Sequence, residues 1–517
     1  MSRREPWRRR IYRGMSPEAA VRADAEHREV MGVLWPVLVA MTAAGLSALI
    51  VTTALPVVIA DIGGTQHHYT WLMSSAILAS TAVTPIAGKL ADLYNKKQLL
   101  LGAIAVFTAG TALCGFAMTP EMMIATRVLQ GAGMGAIMVL TQIVIAAIVP
   151  PRQRGRYNGY IAVTMTFSTV AAPLVGGLII EAPGLDWRWC FWGMLPLTVT
   201  SWFFLAKRLH VPVIRRENTR VDWGGAALIA LAAAMLLLLV SLAGTYFPWF
   251  SWQSALMLLV LVSFAAGFVA VERRVSEPVV PLRLLTQRFS LLAIVACLAM
   301  GVVMFGANVL LIQYFQLGRG FSPLAAGLLV LPLMVGMSLG SQVTGNILTR
   351  SGRWKLMVST GMGAMTLGLG LLALIDAGTP LWQVTAALSL VGLGLGGAIQ
   401  NIVVAVQNNE TQENVGAATS TVNFFRSLGG AVGVQVLGVV YAAQVGRLAA
   451  SALEAEGIDP QEAGALDLSQ LSPDLAPAVE QAYGDGIGVV LAVAAGLCLI
   501  GLVSVMLMPS TRLRDSL

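Results

Sequence analysis

The charged residues of this 517-residue chain are few, and several of them interrupt or adjoin long apolar runs. Asp92 lies with Lys96 and Lys97 in the segment that starts at Gly88, directly after one such run. A carboxylate at that place can pair with basic side chains or accept hydrogen bonds from a helix N-terminus. The cluster predicts a latch, meaning a contact that holds the cytoplasmic side of the protein closed and breaks when that side opens. The alternative is a plain basic loop.

Two arginines fall inside apolar runs. Because a guanidinium in hydrocarbon is costly, we expect Arg127 to face a protein interior and to find acceptors there. The candidates are backbone carbonyls, Gln130 or a substrate, and the alternatives are a structural ion pair or a snorkelling side chain. Arg426 lies nearer the inner end of its run, where snorkelling to the cytoplasm is an equal alternative.

The composition defines the medium that surrounds these residues. Charged residues are 11%, hydrophobic residues are 56%, and the mean hydropathy is +0.76. A soluble protein cannot bury so much apolar surface, whereas a membrane helix needs about 20 apolar residues. The sequence predicts an all-α integral membrane protein with fourteen transmembrane helices. Their limits are 32–58, 70–88, 98–118, 121–148, 158–180, 189–206, 223–243, 252–271, 290–314, 323–346, 355–374, 382–404, 418–441 and 485–508.

The distribution of Lys and Arg predicts the orientation. If the N-terminus is inside, 28 of the 33 basic residues lie on the inside, so we expect both termini in the cytoplasm and the chain in the cell (inner) membrane. The predicted parts are a tail (1–31), a six-helix bundle (32–206), two inserted helices with cytoplasmic loops (207–289), a second six-helix bundle (290–508) and a tail (509–517). Residues 442–484 are predicted to form an acidic loop outside, either a spacer or a partner-docking loop, with a short helix before Pro460.

An internal repeat relates the two bundles. The segment after the second run, which starts at Gly88, has a counterpart at Gly345 after the tenth run, 257 residues later. The same offset carries Pro173 of the fifth run onto Gly430 of the thirteenth, inside another small-residue segment. Two features at one offset indicate two pseudo-equivalent halves separated by an insert.

At this point the chain resembles the major facilitator superfamily, and within it the fourteen-helix branch of drug:proton antiporters. Residues 88–97 are similar to the family's G-x-L-A-D-x-x-G-R-[RK] loop, with Asn95 in place of Gly. Residues 127–133 match R-x-x-Q-G-x-G. Residues 168–177 resemble the antiporter motif G-x-x-x-G-P-x-x-G-G, with Ser168 and Ala172 replacing glycines.

Residues 50–56 resemble the end of the branch's first-span motif, L-D-x-T-x-V-x-x-A-L-P, but Ser47 stands where the family has Asp. The resemblance implies secondary export of amphipathic molecules by proton antiport through alternating access, and Ser47 removes the acid expected for coupling. Pro173, Gly176 and Gly177 are expected to form a helix-packing hinge.

The remaining polar residues of the runs are candidates for a substrate cavity, which is mostly apolar with few polar groups. They are Asn308, Gln313, Asn401, Asn423 and Arg426. None of the 26 acidic residues lies in the middle of a run. A proton-coupling group must therefore come from the outer rim, where Asp61 and Glu121, the latter in the run of Arg127, are the first choices. The alternatives are solvent-facing carboxylates and a transporter driven by its substrate gradient or another ion.

Other classes of function find little support in the sequence. A membrane enzyme would need a nucleotide loop, a metal pair or an acid–base pair inside the runs, and we find none, so we expect no cofactor and no metal. A non-transporting receptor does not need a latch. An exporter of a lipid or endogenous metabolite, possibly not proton-coupled, is the alternative to a drug pump. The expected partners are an amphipathic small molecule, protons and the bilayer, with no nucleic acid, and the chain is expected to be a monomer.

Overall fold

The computed structural model describes residues 17–63, 66–182, 184–209, 222–243, 247–275, 280–321, 323–411, 413–455, 476–510 and 513. Residues 456–475 of the predicted loop at 442–484, residues 1–16 of the N-terminal tail and residues 210–221 before the insert lie outside this part. Across the described ranges the chain is helical and contains no β-strand.

Fourteen long helices in the described part follow the order of the predicted runs, and we number them α1 to α14. In the first half they are α1 (Pro17–Asp61), α2 (Gln66–Leu93), α3 (Lys96–Gly115), α4 (Pro120–Ile148), α5 (Pro151–Glu181) and α6 (Leu195–Arg208), which a single turn precedes. The insert contains α7 (Trp223–Leu242) and α8 (Trp252–Glu272). The second half contains α9 (Arg288–Gly318), α10 (Pro323–Ser351), α11 (Trp354–Leu372), α12 (Leu381–Asn409), α13 (Val415–Ala455) and α14 (Ala476–Leu507).

Thirteen of these helices, in the described part of the chain, are long and apolar enough to cross a bilayer. The exception is α5, several of whose side chains lie outside the described part, so the predicted count of fourteen stays a prediction. Residues 161–178 of this helix contain no charged residue. Its polar side chains Arg154, Asn158, Thr164 and Ser168 are all buried.

Two helix pairs make the most extensive contacts between the halves. Helix α2 packs against α13, and α5 packs against α10. The offset of 257 residues relates α2 to α10 and α5 to α13. The contact of α2 with α13 is therefore the equivalent, in the repeat, of the contact of α10 with α5. Each half also has a large hydrophobic core of its own. The inserted helices pack against each other and lie beside α2 and α13, where Phe424 joins their small apolar cluster.

Several helices extend past the predicted limits. Helix α1 begins at Pro17, inside the predicted tail, and α13 continues to Ala455. The Ala-rich start of the predicted outer loop is thus the end of α13 and not a separate short helix, because Ala favours helix continuation at least as strongly as any other residue. Hydropathy detects only the apolar part of a helix, and these ends are more polar.

Helix α9 is irregular. It is α-helical over Arg288–Gly301, π-helical over Val302–Ala307, α-helical over Asn308–Gln313 and π-helical again over Tyr314–Gly318. Single π-helical turns inside α-helices occur frequently at functional sites. The first of the two turns in α9 faces α13, at Gly430 and Gly433.

Candidate functional site

Asp92 joins the two halves at the ends of the helices that are predicted to face the cytoplasm, which we call the inner ends. Its Oδ1 accepts a hydrogen bond of 2.7 Å from the backbone N–H of Gly416, and its Oδ2 accepts one of 2.7 Å from Ala417. Both donors belong to the first turn of α13, whose unpaired N–H groups and dipole favour an anion. Asp92 is only 6% exposed, so the contact is shielded from water.

The residues around Asp92 complete this contact. Lys89 and Lys96 are buried nearby and bring positive charge to the carboxylate. Asn95, which departs from the family's glycine, caps α3 because its Oδ1 accepts from the N–H of Lys97 at 2.9 Å. Gly88 lies against Ser420 and Gly416 of α13 so closely that an added Cβ would collide with both. Gly88, Asp92 and Lys96 of the predicted latch are therefore brought together at α13, whereas Lys97 contributes only its backbone N–H to the cap of α3.

A second polar contact between the halves was not predicted. Arg154 of α5 is 1% exposed and donates to Gln407 Oε1 of α12 at 3.0 Å. It also donates to the carbonyls of Val149 at 2.8 Å and Ala146 at 2.6 Å. Gln407 in turn donates to Thr419 Oγ1 at 3.0 Å. By charge alone, Arg154 is one of the 28 basic residues predicted on the inside. Its position four residues after Pro150, at a helix start, was the available signal.

The contact between α5 and α10 brings two glycines together. An added Cβ at Gly345 would collide with the carbonyl oxygen of Gly155, and one at Gly155 would lie 2.8 Å from that of Gly345. Further along, Thr166 and Ser338 share a hydrogen bond of 2.5 Å between their hydroxyl oxygens. With no side chain in the way, the two backbones approach directly.

All hydrogen bonds between the halves, within the described residues, lie from the inner ends to about the middle of the helices. Besides those above, Asn423 of α13 donates to Gln142 Oε1 of α4 at 2.7 Å. At the outer ends the described polar contacts stay within one half, as when Arg319 donates to the carbonyl of Thr379 at 2.8 Å. The structure is therefore closed at its inner side.

The two carboxylates chosen for proton coupling lie on the outer rim. Asp61 is 49% exposed and accepts from Trp187 Nε1 at 2.9 Å and from Arg188 Nη1 at 3.3 Å. Arg188 also pairs with Asp186, and these two carboxylates raise the pKa of its guanidinium above the usual value. The Asp61 carboxylate thus faces water and a surface arginine, as the solvent-facing alternative describes, and its role in proton coupling stays a prediction.

Glu121 does not meet Arg127, although both are in α4. Its side chain is 74% exposed and lies 3.6 Å from His68 Nε2. Arg127 starts almost two turns further into the helix and is 3% exposed. A side chain at the first turn points to solvent here, so sharing a helix did not bring the two charges together.

Arg127 belongs to a buried polar network in the first half. Its Nη1 donates to Gln130 Oε1 at 2.6 Å, and its Nε donates to the carbonyl of Leu72 at 3.4 Å. Gln130 then donates to Ser47 Oγ at 2.8 Å and to Thr111 Oγ1 at 2.9 Å. Both kinds of expected protein acceptor are present. Among the described residues no carboxylate pairs with Arg127, and Ser47 occupies the position of the family's acid.

The cavity candidates separate into three groups. Asn423 contacts the opposite half, as above, whereas Asn401 is held inside the second half by Thr344 Oγ1 at 3.0 Å and the carbonyl of Gly397 at 2.7 Å. Gln313 is exposed, and the side chain of Asn308 lies outside the described part. Asn401 is thus a packing residue rather than a residue open to substrate in this state.

Arg426 lies deeper than the sequence suggested. Helix α13 begins at Val415, so Arg426 is eleven residues from its inner end, which is about 16 Å along the axis. Its backbone carbonyl packs against Gly301 of α9, and its side chain is half-buried near Cys297. To snorkel to the inner surface, the side chain would have to extend along about three turns of α13.

The predicted hinge in α5 is only partly described. The backbone continues as a helix through Pro173, whose side chain lies outside the described part. Gly176 is buried, but an added Cβ at Gly177 would meet nothing within 4 Å, so the close helix contact expected there is absent. The close approach of α5 occurs instead at Ser168, which meets Gly45 of α1. The sequence motif predicted a contact but not which of its small residues would make it.

The insert is connected to the second half by an ion pair. Arg283, in the segment between α8 and α9, donates to Glu410 Oε2 at 2.7 Å. Glu410 is buried just after α12, which raises the pKa of its carboxyl, while the charge and hydrogen bond of Arg283 lower it. A shallow cavity of about 330 Å³ adjoins the pair and is also lined by Gln287 and Asn409.

Two equivalent six-helix halves that meet through buried polar contacts at one side define a membrane transporter rather than an enzyme. The sequence profile of the Major Facilitator Superfamily matches residues 37–247 and 223–434. The chain belongs to the major facilitator superfamily, as the sequence motifs indicated.

Relatives and a solved structure agree with this assignment. The chain is 32% identical over 416 residues to the multidrug transporter protein MdtP of Bacillus subtilis, covering 80% of this chain and 75% of that one. It is 29% identical over 524 residues to the efflux pump FUS6 of Gibberella moniliformis, covering 97% and 92%. The structure of the proton:xylose symporter XylE has the same fold, with a TM-score of 0.60 at 12% identity over 94% of this chain and 97% of that one.

Proposed function

We propose that the protein exports amphipathic small molecules from the cell by alternating access. The observation that carries the proposal is the Asp92 carboxylate of one half bound to the first turn of α13 in the other. A contact of this kind is needed only if the two halves also separate. The relatives named an efflux pump and a multidrug transporter support the direction and the class of substrate.

The inner closure has to break in every transport cycle. Opening towards the cytoplasm separates Asp92 from α13, Arg154 from Gln407, and Gly155 from Gly345. Each lost partner is then hydrated, because water enters between the halves as they part. The three contacts thus hold the inner side closed while the outer side releases substrate, and they re-form after each return.

For the coupling we retain proton antiport, with the alternative that a substrate gradient or another ion drives the cycle. An antiporter needs a group that gains and loses a proton as access alternates. The rim acids Asp61 and Glu121 remain the candidates named from the sequence, and their exposure weakens the case for both. Because Ser47 rather than an acid takes part in the Arg127 network, the network inside the first half contains no carboxylate that could carry the proton.

Transport by the purified protein in proteoliposomes tests both the export of amphipathic molecules and its coupling to protons. The panel contains anionic, cationic and neutral amphipathic dyes, and a trapped pH indicator follows protons. We expect at least one dye to move and protons to move against it, and we expect the double variant Asp61→Asn, Glu121→Gln to lose proton movement. Wild type that moves dye without protons contradicts antiport. Coupling that survives in the double variant contradicts the choice of acids. Wild type that moves no dye contradicts export of amphipathic molecules.

A further inference from the structure

One face of α13 points into the interior of the protein at mid-membrane depth. Asn423, Arg426 and Gly430 follow each other at three- and four-residue spacing, so they share this face. Asn423 reaches Gln142 in the opposite half, and Gly430 lies against the ring of Phe305 on α9. Arg426, between them, therefore lies on the face of α13 that is turned to the protein, near Cys297 of α9 and one turn from the Asn423–Gln142 contact between the halves.

Arg426 carries a charge that nothing nearby neutralises. The described residues offer its guanidinium no hydrogen-bond acceptor, and its side chain is half-buried. The sequence contains no Asp or Glu in residues 282–375, 377–409 or 415–453, which include all of α9 to α12 and most of α13. In the opposite half, residues 30–60 and 122–148 of the helices α1 and α4 are equally free of acids.

Arg127 adds a second positive charge to the same interior. It is buried in the first half, and its described partners, Gln130 and the carbonyl of Leu72, are neutral. Between residues 30 and 208 of that half, Asp61, Glu121, Glu181 and Asp186 lie at or beyond the outer ends of helices, and Asp92 is bound at the inner end. Positive charge in a water-poor interior attracts anions more strongly than the same charge does in water.

The neighbours of Arg426 provide an apolar surface beside the charge. Phe305 is 43% exposed although it lies in the π-helical turn of α9 that packs on α13. Met304 is partly buried beside it and has a flexible side chain that adapts to different shapes. A cation next to an exposed aromatic ring suits a ligand that has an anionic group and an apolar body.

We propose that the substrates are amphipathic anions, and that Arg426 binds their carboxylate, sulfonate or phosphate group while Phe305 contacts the apolar body. This inference rests on the proposed export function and specifies its substrate class. A guanidinium binds such groups through two parallel hydrogen bonds, which an ammonium cannot reproduce. Transport should therefore depend on the charge of the substrate and on the arginine itself.

The test compares two dyes of similar size in proteoliposomes, the anion 1-anilinonaphthalene-8-sulfonate and the cation ethidium. We expect wild type to transport the anion at least tenfold faster than the cation. Arg426→Gln should slow the anion at least tenfold without slowing ethidium, and Arg426→Lys should restore part of the anion transport. Thermal unfolding of each variant in detergent, together with its ethidium rate, shows whether a loss comes from misfolding.

Three outcomes overturn the inference. If wild type prefers ethidium, or if folded Arg426→Gln transports the anion at the wild-type rate, the substrate class is wrong and export itself still stands. If Arg426→Gln unfolds, Phe305→Ala serves as the second variant, and an unchanged Michaelis constant for the anion then contradicts the site. If wild type moves the anion, the cation and a neutral dye no faster than empty liposomes, both the inference and the proposed export are wrong.

Discussion

At the scale of single residues, the protein places its interior charges where backbone groups or amides, rather than opposite charges, satisfy them. Asp92 is held by two N–H groups, and Arg154 by two carbonyls and the amide oxygen of Gln407. Arg127 likewise bonds Gln130 and a carbonyl. Such partners keep the desolvation cost of a buried charge low without fixing a second charge in place. The buried Glu410 differs because it pairs with Arg283, and the Arg426 guanidinium differs because the described residues give it no hydrogen-bond acceptor.

The Asp92 contact gives a direct prediction. In Asp92→Asn the amide N–H₂ faces a backbone N–H of α13, so one hydrogen bond becomes a donor–donor contact and the charge is lost. Hydrogen bonds to charged groups contribute about 1.5–3 kcal/mol each. We expect transport to fall several-fold while dye binding and thermal unfolding stay close to wild type, because the change affects the balance between two states.

Asp485→Asn is the matched control, since Asp485 also accepts from a backbone N–H, that of Ala377 at 3.1 Å, but at the outer end of the second half. It should leave transport unchanged. Full activity of Asp92→Asn in proteoliposomes would contradict the latch.

At the scale of elements, most helices could be predicted and most of their contacts could not. Hydropathy located all fourteen runs, yet it missed the inner start of α5, where Arg154 read as part of a basic loop. It also could not show the π-helical turns of α9, of which the first lies against Gly430 and Gly433 of α13 and the second against Gly484 of α14. The sequence suggested a helix N-terminus as a partner of Asp92, but only the fold identifies α13.

The crossing of α5 and α10 predicts an effect of one methyl group. Gly345→Ala places a Cβ against the carbonyl oxygen of Gly155, so the inner side can no longer close fully. We expect a loss of transport, and we expect a cysteine introduced as Ser338→Cys to react faster with an impermeant maleimide in everted vesicles. Both labelling measurements use a protein in which the four native cysteines have been replaced.

Gly363→Ala in α11 is the control, because an added Cβ there meets nothing within 4 Å. It should behave as wild type in both assays. Equal labelling of Ser338→Cys with and without Gly345→Ala would show that this crossing does not keep the inner side closed.

At the scale of the whole molecule, the pairing of α2 with α13 and of α5 with α10 follows from the repeat. Which side of the membrane these contacts close depends on the orientation of the chain in the membrane. The basic residues predict that this side is the cytoplasm. The segments that decide it, in the N-terminal tail and around residues 456–475, lie outside the described residues. The orientation therefore remains a prediction from charge.

Labelling of intact cells checks the orientation. We expect Ser469→Cys to react with an impermeant thiol reagent from outside, and we expect Arg10→Cys to react only after the cells are opened. Expression and total labelling in detergent provide the control for both. The reverse pattern would invert the topology and turn the closed inner side into a closed outer side.

The permanent charge of Arg426 also has an electrical consequence. A unit charge that crosses the full membrane field does about 2.3 kcal/mol of work per 100 mV, and α13 holds this one about 16 Å from its end. When the binding site is empty and its access changes sides, the voltage acts on an uncompensated cation and, in a cell that is negative inside, draws the site towards the cytoplasm. When a monovalent anion occupies the site, the arginine and the anion together are neutral, and the membrane voltage exerts little net force on them. The resting potential would then power the return of the empty carrier.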